Sequence, residues 1–305
     1  MNRLLSFIVF FIVTVSLSAQ TVVKEGRQQH FKSVPKGNYS GIVPLGNDRY
    51  AVVSDKSTED GFFVFHIDID TISGKILSIQ NEGFRSSHLP NRDMEGITYL
   101  PSEAKILISG ETDNEIYAYD TLGNRSETPF PKASVFNHQS HNLGLESLTH
   151  NEVTGKIWTC NENQNDSIFL QSYTATGQLD SCYLYMLDKR TAPTDATNYA
   201  HGVSELCALD DGRLLVLERE FYVSPSKIGS WVECKLYVTD FKSKRLVTSW
   251  KTQLSLLNFA LANYEGMCIA RRLSNGNIIL LLCADSQNQY AGVLRDWFKT
   301  FIISF

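Results

Sequence analysis

The chain contains no CxxC pair, no GxSxG, no HExxH and no glycine-rich phosphate loop ending in Lys-Ser or Lys-Thr. Those absences exclude a paired-cysteine zinc site, a serine-hydrolase elbow, a zinc-protease helix and a P-loop nucleotide site. There is no basic stripe and no dense run of Lys and Arg of the kind that grips a polyphosphate. With 28 basic against 33 acidic residues the net charge is −5, which argues against nucleic acid or an anionic membrane as partner. Cysteine is sparse. An even count of six in an exported chain permits one or two disulfides. Cys160, Cys207, Cys268 and Cys283, however, lie in apolar strand-like runs, where a free thiol packs as a small hydrophobe. Beyond residue 19 no apolar run approaches the roughly 20 residues that span a bilayer.

The first 19 residues read differently. Met1-Asn2-Arg3 carries a positive charge, Leu4 to Val15 is almost wholly apolar, and Ser16-Leu17-Ser18-Ala19 ends in small residues. That is the layout of a secretory signal peptide cut after Ala19. The competing reading, a membrane anchor, requires a longer apolar run, and no Cys stands at the cut to carry a lipid. The expectation is an exported protein, periplasmic or extracellular, not inserted in the membrane and monomeric. Gln20 to Phe305 would form one domain, since no linker-like segment interrupts it.

What the mature chain does contain is a repeat. Four segments align: Arg92-Asp93-Met94-Glu95-Gly96-Ile97, Leu143-Gly144-Leu145-Glu146-Ser147-Leu148, Gly202-Val203-Ser204-Glu205-Leu206-Cys207, and Asn263-Tyr264-Glu265-Gly266-Met267-Cys268. Each opens an alternating strand. Turns follow at Pro101 to Ala104, Val153 to Gly155, Asp210 to Gly212 and Ser274 to Gly276, and then an apolar return strand. A weaker fifth copy runs from Tyr39 through Gly46-Asn47-Asp48 to Val53. Strand, Gly or Asn/Asp turn, strand is a hairpin signature. The glutamates recur every 51 to 60 residues, which leaves room for two more strands per unit, such as Phe62 to Ile67 and Glu115 to Asp120. Four strands at this period is the spacing of a propeller blade. The fold class expected is therefore an all-β, single-domain β-propeller of five to six four-stranded blades. Six is the favoured count, the last completed by the start of the mature chain pairing with the C-terminal strand.

A hairpin brings residues equidistant from its turn side by side. Glu95 then meets Glu111, Glu146 meets Glu162, and Glu265 meets Asp285, while Glu205 reaches Leu217 and Glu218 with Arg219 just beyond. In the weak copy Asp55 remains, but its mate is Ser40. If every hairpin occupies the same place in its blade, these acids converge on one end of the axis. Carboxylates so close raise one another's pKa unless a cation intervenes. Oxygen-only clusters suit Ca²⁺, with Mg²⁺ the lesser candidate. The expected metal set is Glu95, Glu111, Glu146, Glu162, Glu205, Glu218, Glu265 and Asp285. Asp113, Asn114, Asn163, Asn165 and Asp166 are further oxygen donors nearby. Arg219 has two readings: a counter-ion to neighbouring acids, or a fork for an anionic ligand. His138 and His141 form the one close histidine pair, in a polar loop before Glu146.

Asp93-Met94-Glu95-Gly96-Ile97, Leu145-Glu146-Ser147-Leu148, Leu209 to Glu220 and Asn263-Tyr264-Glu265-Gly266-Met267 resemble motifs of the phytase-like family described as having esterase-like activity. The resemblance covers roughly Ser40 to Asp285. It implies a propeller like that of the alkaline, calcium-dependent phytases and a hydrolase of phosphate or carboxylic esters acting on a small anionic substrate. Glu95, Glu146, Glu205, Glu218, Arg219, Glu265 and Asp285 fall on its motifs. Under that reading Glu146, Glu205, Arg219 and Glu265 carry the reaction, while the acids hold Ca²⁺, which polarises the scissile group. The alternative is a non-catalytic, ligand- or partner-binding propeller of the cell envelope whose acids hold a structural ion.

Overall fold

Alternation of apolar and polar residues along short runs makes strands, and these strands are too many and too short for anything but a closed or stacked sheet architecture. The computed structural model describes residues 20–137, 144–163 and 166–305. The expected signal peptide, the His138–His141 pair and Asn165 lie outside the described residues. Among the described residues there is no α-helix.

In chain order, β1 (Thr21–Glu25) and β2 (Gln29–His30) precede the first complete blade. That blade is β3 (Tyr39–Gly46), β4 (Arg49–Ser54), β5 (Glu59–Ile69) and β6 (Ile76–Pro90). Its inner hairpin turns on Asn47 and Asp48, both with left-handed φ of 52° and 60°, the geometry that matches the twist of paired strands. The second blade holds β7 (Met94–Leu100), β8 (Lys105–Gly110) and β9 (Glu115–Tyr119). The third holds β10 (Leu145–His150), β11 (Ile157–Asn161), β12 (Ser167–Tyr173) and β13 (Leu179–Met186). The fourth holds β14 (Asn198–Ala208), β15 (Leu214–Val223), β16 (Trp231–Thr239) and β17 (Lys244–Gln253). The fifth holds β18 (Asn263–Arg272), β19 (Ile278–Asp285) and β20 (Trp297–Ser304), and β1 pairs antiparallel to β20 as its outer strand.

Among the described residues there are therefore five blades. The pairing of the two chain ends occurs as expected, but it completes the Glu265 blade. The C-terminal segment supplies that blade's third strand and β1 its fourth, so no strands remain for a sixth. The second blade has only three regular strands. Arg125 to Phe130 takes the outer place through isolated bonds, Ser126 N–H to Ala118 O at 2.7 Å and Phe130 N–H to Ile116 O at 2.8 Å. Pro129 and Pro131 bracket Phe130 and have no N–H to donate to a ladder.

The core is not central but lies between blades. Each of the five major apolar clusters draws on two neighbouring sheets: Leu217 with Leu280, Phe65 with Phe298, Leu170 with Leu214, Val53 with Ile106, and Leu107 with Ile157. The inner strands β3, β7, β10, β14 and β18 follow one another around the axis. Where they pass closest there is no space for a side chain. A Cβ on Gly96 would lie 2.4 Å from the Leu148 backbone nitrogen, and one on Gly41 would lie 2.5 Å from the Glu95 carbonyl oxygen. All six cysteines are free thiols, five of them buried.

Candidate functional site

Every inner hairpin carries a bulge at the same end. The register jumps across Ser40, across Glu95 and Gly96, and across Glu146, Ser204 and Glu265, so the inner strand has one residue more than its partner there. A bulge re-aims a side chain that regular pleating would send elsewhere. Glu95, Glu146 and Glu265 accordingly line a cavity of about 320 Å³ at the mouth of the axis.

The register also shows which residues are equivalent. Ser54, Gly110, Asn161, Glu218 and Ala284 each pair with the residue before the bulge. The next residues, Asp55, Glu111, Glu162, Arg219 and Asp285, all line the mouth. Arg219 thus stands where the other four blades present a carboxylate. It donates to Glu162 at 2.6 Å, to Asn263 Oδ1 at 3.1 Å and to Glu265. Burial disfavours its charge, but Glu265 and Glu162 outweigh that and hold the guanidinium above its ordinary value. Of the two readings of Arg219, its contacts are those of a counter-ion.

Two of the expected ligands are not brought to the mouth. The fourth-blade bulge falls on Ser204, so Glu205 takes the place held elsewhere by Gly41, Ser147 and Gly266. It is buried between blades, accepting from Ser147 Oγ and from the Leu206 N–H at 3.0 Å. Burial pushes its carboxyl well above the usual range, opposed by those donors. Glu218 lies between the third and fourth blades, accepting from Tyr185 Oη at 2.6 Å and paired with Lys244. The repeat alignment of Glu205 is one residue out of register with the bulge, because a bulge has no signature in strand alternation. The outer oxygen donors are also spent locally. Asp113 holds Arg92 at 2.8 Å, Asn114 Oδ1 accepts the Leu145 N–H at 3.1 Å, and Asn163 binds the His201 carbonyl at 2.6 Å and the Asp166 N–H at 2.8 Å.

The mouth does bring together Glu95, Glu111, Glu146, Glu162, Glu265 and Asp285 with Asp55, Asp93, Lys56 and Arg219. Eight carboxylates face two cations there. Burial pushes Glu95 and Glu146 well above the usual carboxylate range; Glu146 then raises Glu95 further, as Glu162 does Glu146. Glu265 is raised by burial and by Asp285, against the pull of Arg219. Asp285 and Glu111 are raised by burial, opposed by donors from Gln287 and from the Gly144 N–H. Asp55 is pushed up to about 7, by burial first and Asp285 second, with Lys56 opposing.

One sector of the mouth is set apart. Oxygens of Asp55, Asp93 and Glu95 lie within 4.8 Å of one another. Asp55 Oδ1 is buried and accepts no hydrogen bond among the described residues. Lys56 lies 3.2 Å from Asp55 and 2.6 Å from Asp93. Asp93 reaches the group through a left-handed backbone (φ 55°), a conformation that Asp tolerates. Asp93 and Lys56 are not among the residues the sequence assigns to the site, and it gives Asp55 no role. The available signal was the alignment of Asp55 with Glu111, Glu162 and Asp285.

The sequence profile of the phytase-like family, described as esterase-like activity of phytase, matches residues 34–287. The chain belongs to the phytase-like family. No curated protein sequence matches this phytase-like chain. Among solved structures it is similar to an endo-arabinase from Bacteroides thetaiotaomicron, with 13% identity, 90% of this chain and 95% of that one covered, and a TM-score of 0.49. It is also similar to a putative gluconolactonase, at 10% identity, 93% and 98% coverage and a TM-score of 0.45. A periplasmic gluconolactonase of Pseudomonas aeruginosa matches at 11% identity, 68% coverage of each chain and a TM-score of 0.35.

Proposed function

We propose that the acidic mouth is the active site of an exported hydrolase of phosphate or carboxylic esters that works with Ca²⁺, held by Asp55, Asp93 and Glu95. The single observation that carries this is the orphaned Asp55 Oδ1 beside two further carboxylates. A buried carboxylate oxygen without a donor is costly unless a cation meets it, and an all-oxygen set suits a hard one. Ca²⁺ bound there would polarise the scissile P–O or C–O group.

The chain's own residues divide the remaining work. Lys56 is half exposed beside the triad and supplies the positive charge that receives an anionic substrate. Glu146 faces the cavity without a hydrogen bond among the described residues, and burial, then the Glu162 charge, raises its carboxyl and so favours the protonated form. It is placed to protonate the leaving alcohol as water's oxygen bonds to phosphorus or carbon and the ester bond breaks. Arg219 fixes Glu162 and Glu265 and keeps that side of the mouth from repelling the substrate. In this proposal Lys56 and Asp93 stand at the mouth in place of Glu205, and Arg219 acts as counter-ion.

The test is turnover of a panel of phosphate and carboxylic esters by the purified mature chain with and without Ca²⁺. Glu146→Gln should abolish turnover while keeping the thermal stabilisation by Ca²⁺, and Asp93→Asn should lose both. Stabilisation by Ca²⁺ with no turnover of any ester would reject the hydrolase and leave a binding propeller with a structural ion.

A further inference from the structure

A second cavity, of about 350 Å³, opens on the same face beside the acidic mouth, and Lys56 lines both. Its wall toward the mouth is short and rigid. Asn38 pairs with Asp285 by an isolated bridge, its carbonyl accepts the Asp55 N–H at 3.2 Å, and its Oδ1 accepts the Asn288 N–H at 2.7 Å. A molecule whose ester sits at the triad can extend past Lys56, which lines both cavities, into this one.

The lining is specific in character. Phe63 and Phe84 meet edge to face at 4.9 Å between ring centres, and both remain partly exposed. Half-exposed paired rings offer a third flat ring an edge or an offset face. Lys36 is exposed on the rim and makes no ion pair among the described residues. The one carboxylate of the lining, Glu59, accepts from the Ser86 hydroxyl and has His88 at 3.8 Å. The cavity therefore combines an aromatic floor with an uncommitted ammonium, at a volume within the range of small-ligand pockets.

We infer that this cavity is the leaving-group subsite of the mouth, and that the substrate is an aryl ester whose alcohol part carries an anionic substituent. The ring packs against Phe63 and Phe84, the substituent pairs with Lys36, and the ester oxygen projects past Lys56 to the triad. This substrate class rests on the hydrolase reading of the mouth. Hydrolysis adds water across the ester, so a phenol and the free acid leave.

Two experiments separate the subsite from the reaction. In turnover, the ratio of kcat/KM for 4-carboxyphenyl phosphate over methyl phosphate is measured in wild type, Lys36→Gln and Phe84→Ala. Loss of a charge-assisted contact predicts a fall in that ratio of about tenfold in Lys36→Gln, and Phe84→Ala should lower it as well. Lys36 is exposed, so its variant folds irrespective of packing around Phe84. In binding, calorimetry with 4-carboxyphenylphosphonate and methylphosphonate in Ca²⁺ should show the aryl ligand tighter in wild type and that preference reduced in each variant. Aryl selectivity in binding without turnover of any ester would sink the hydrolase and keep the subsite. Equal binding of the two phosphonates to wild type, or ratios unmoved by both substitutions, overturns the subsite.

Discussion

Replacing Arg219 by Met tests the electrostatic design of the mouth most directly. The substitution keeps a long apolar stem but removes the charge that stands 2.6 Å from Glu162 and in contact with Glu265. All three groups are nearly enclosed, with side chains 9–12% exposed, so solvent screening does little to soften the loss. Removing one partner of a buried pair costs roughly 3–5 kcal/mol, because the survivor is left charged and dry. At about 2 °C per kcal/mol for a domain of this size, the melting temperature should drop by about 6–10 °C at pH 8. The drop should shrink toward pH 5. Without the guanidinium the Glu265 and Glu146 carboxyls rise further above their unfolded values, so the folded state holds protons that the unfolded chain has released. Stability then falls as pH rises through that interval, and acid restores it. Calorimetric melts of wild type and Arg219→Met in chelator at pH 5 and pH 8 read this difference. Equal melting temperatures at pH 8, or a deficit that does not change with pH, would refute the assignment of Arg219 as the neutralising group of the ring.

Asp55 contributes to the pH response of the wild type in the same sense as Glu95, Glu146 and Glu265, whose carboxyls are also raised. Its folded value of about 7 lies above the unfolded one, so metal-free stability should decline from about pH 4 to pH 7, while Ca²⁺ affinity rises through pH 7 as the proton leaves. Melts and calcium titrations across that range check both signs. Ca²⁺ at a hundred times its dissociation constant should add about 2.7 kcal/mol to wild type. Asp55→Asn should abolish most of that gain; an undiminished gain would place the ion elsewhere. Gly96→Ala should destabilise by roughly 1–3 kcal/mol, because the new methyl meets the Leu148 backbone of the neighbouring blade 2.4 Å away. A denaturant midpoint like that of wild type would show that the inner strands can move apart.

The inner hairpins and their turns were legible in the chain, since alternation and turn residues are local properties that act within about ten residues. The same locality revealed that Glu95 and Glu111, or Glu146 and Glu162, stand at one open end. Closure at five blades was not legible, because whether β1 opens a new blade or finishes an existing one depends on where the ring meets. The bulges were equally hidden, and they alone send Glu265 to the mouth while leaving Glu205 between blades. Asp55, Asp93 and Glu95 come from two blades and form one group only through the packing of β3 against β7. Local pattern determines which residues are strands and where acids recur. Which of those acids share a dry space, and which one is replaced there by Arg219, is decided by contacts between blades that strand periodicity does not encode.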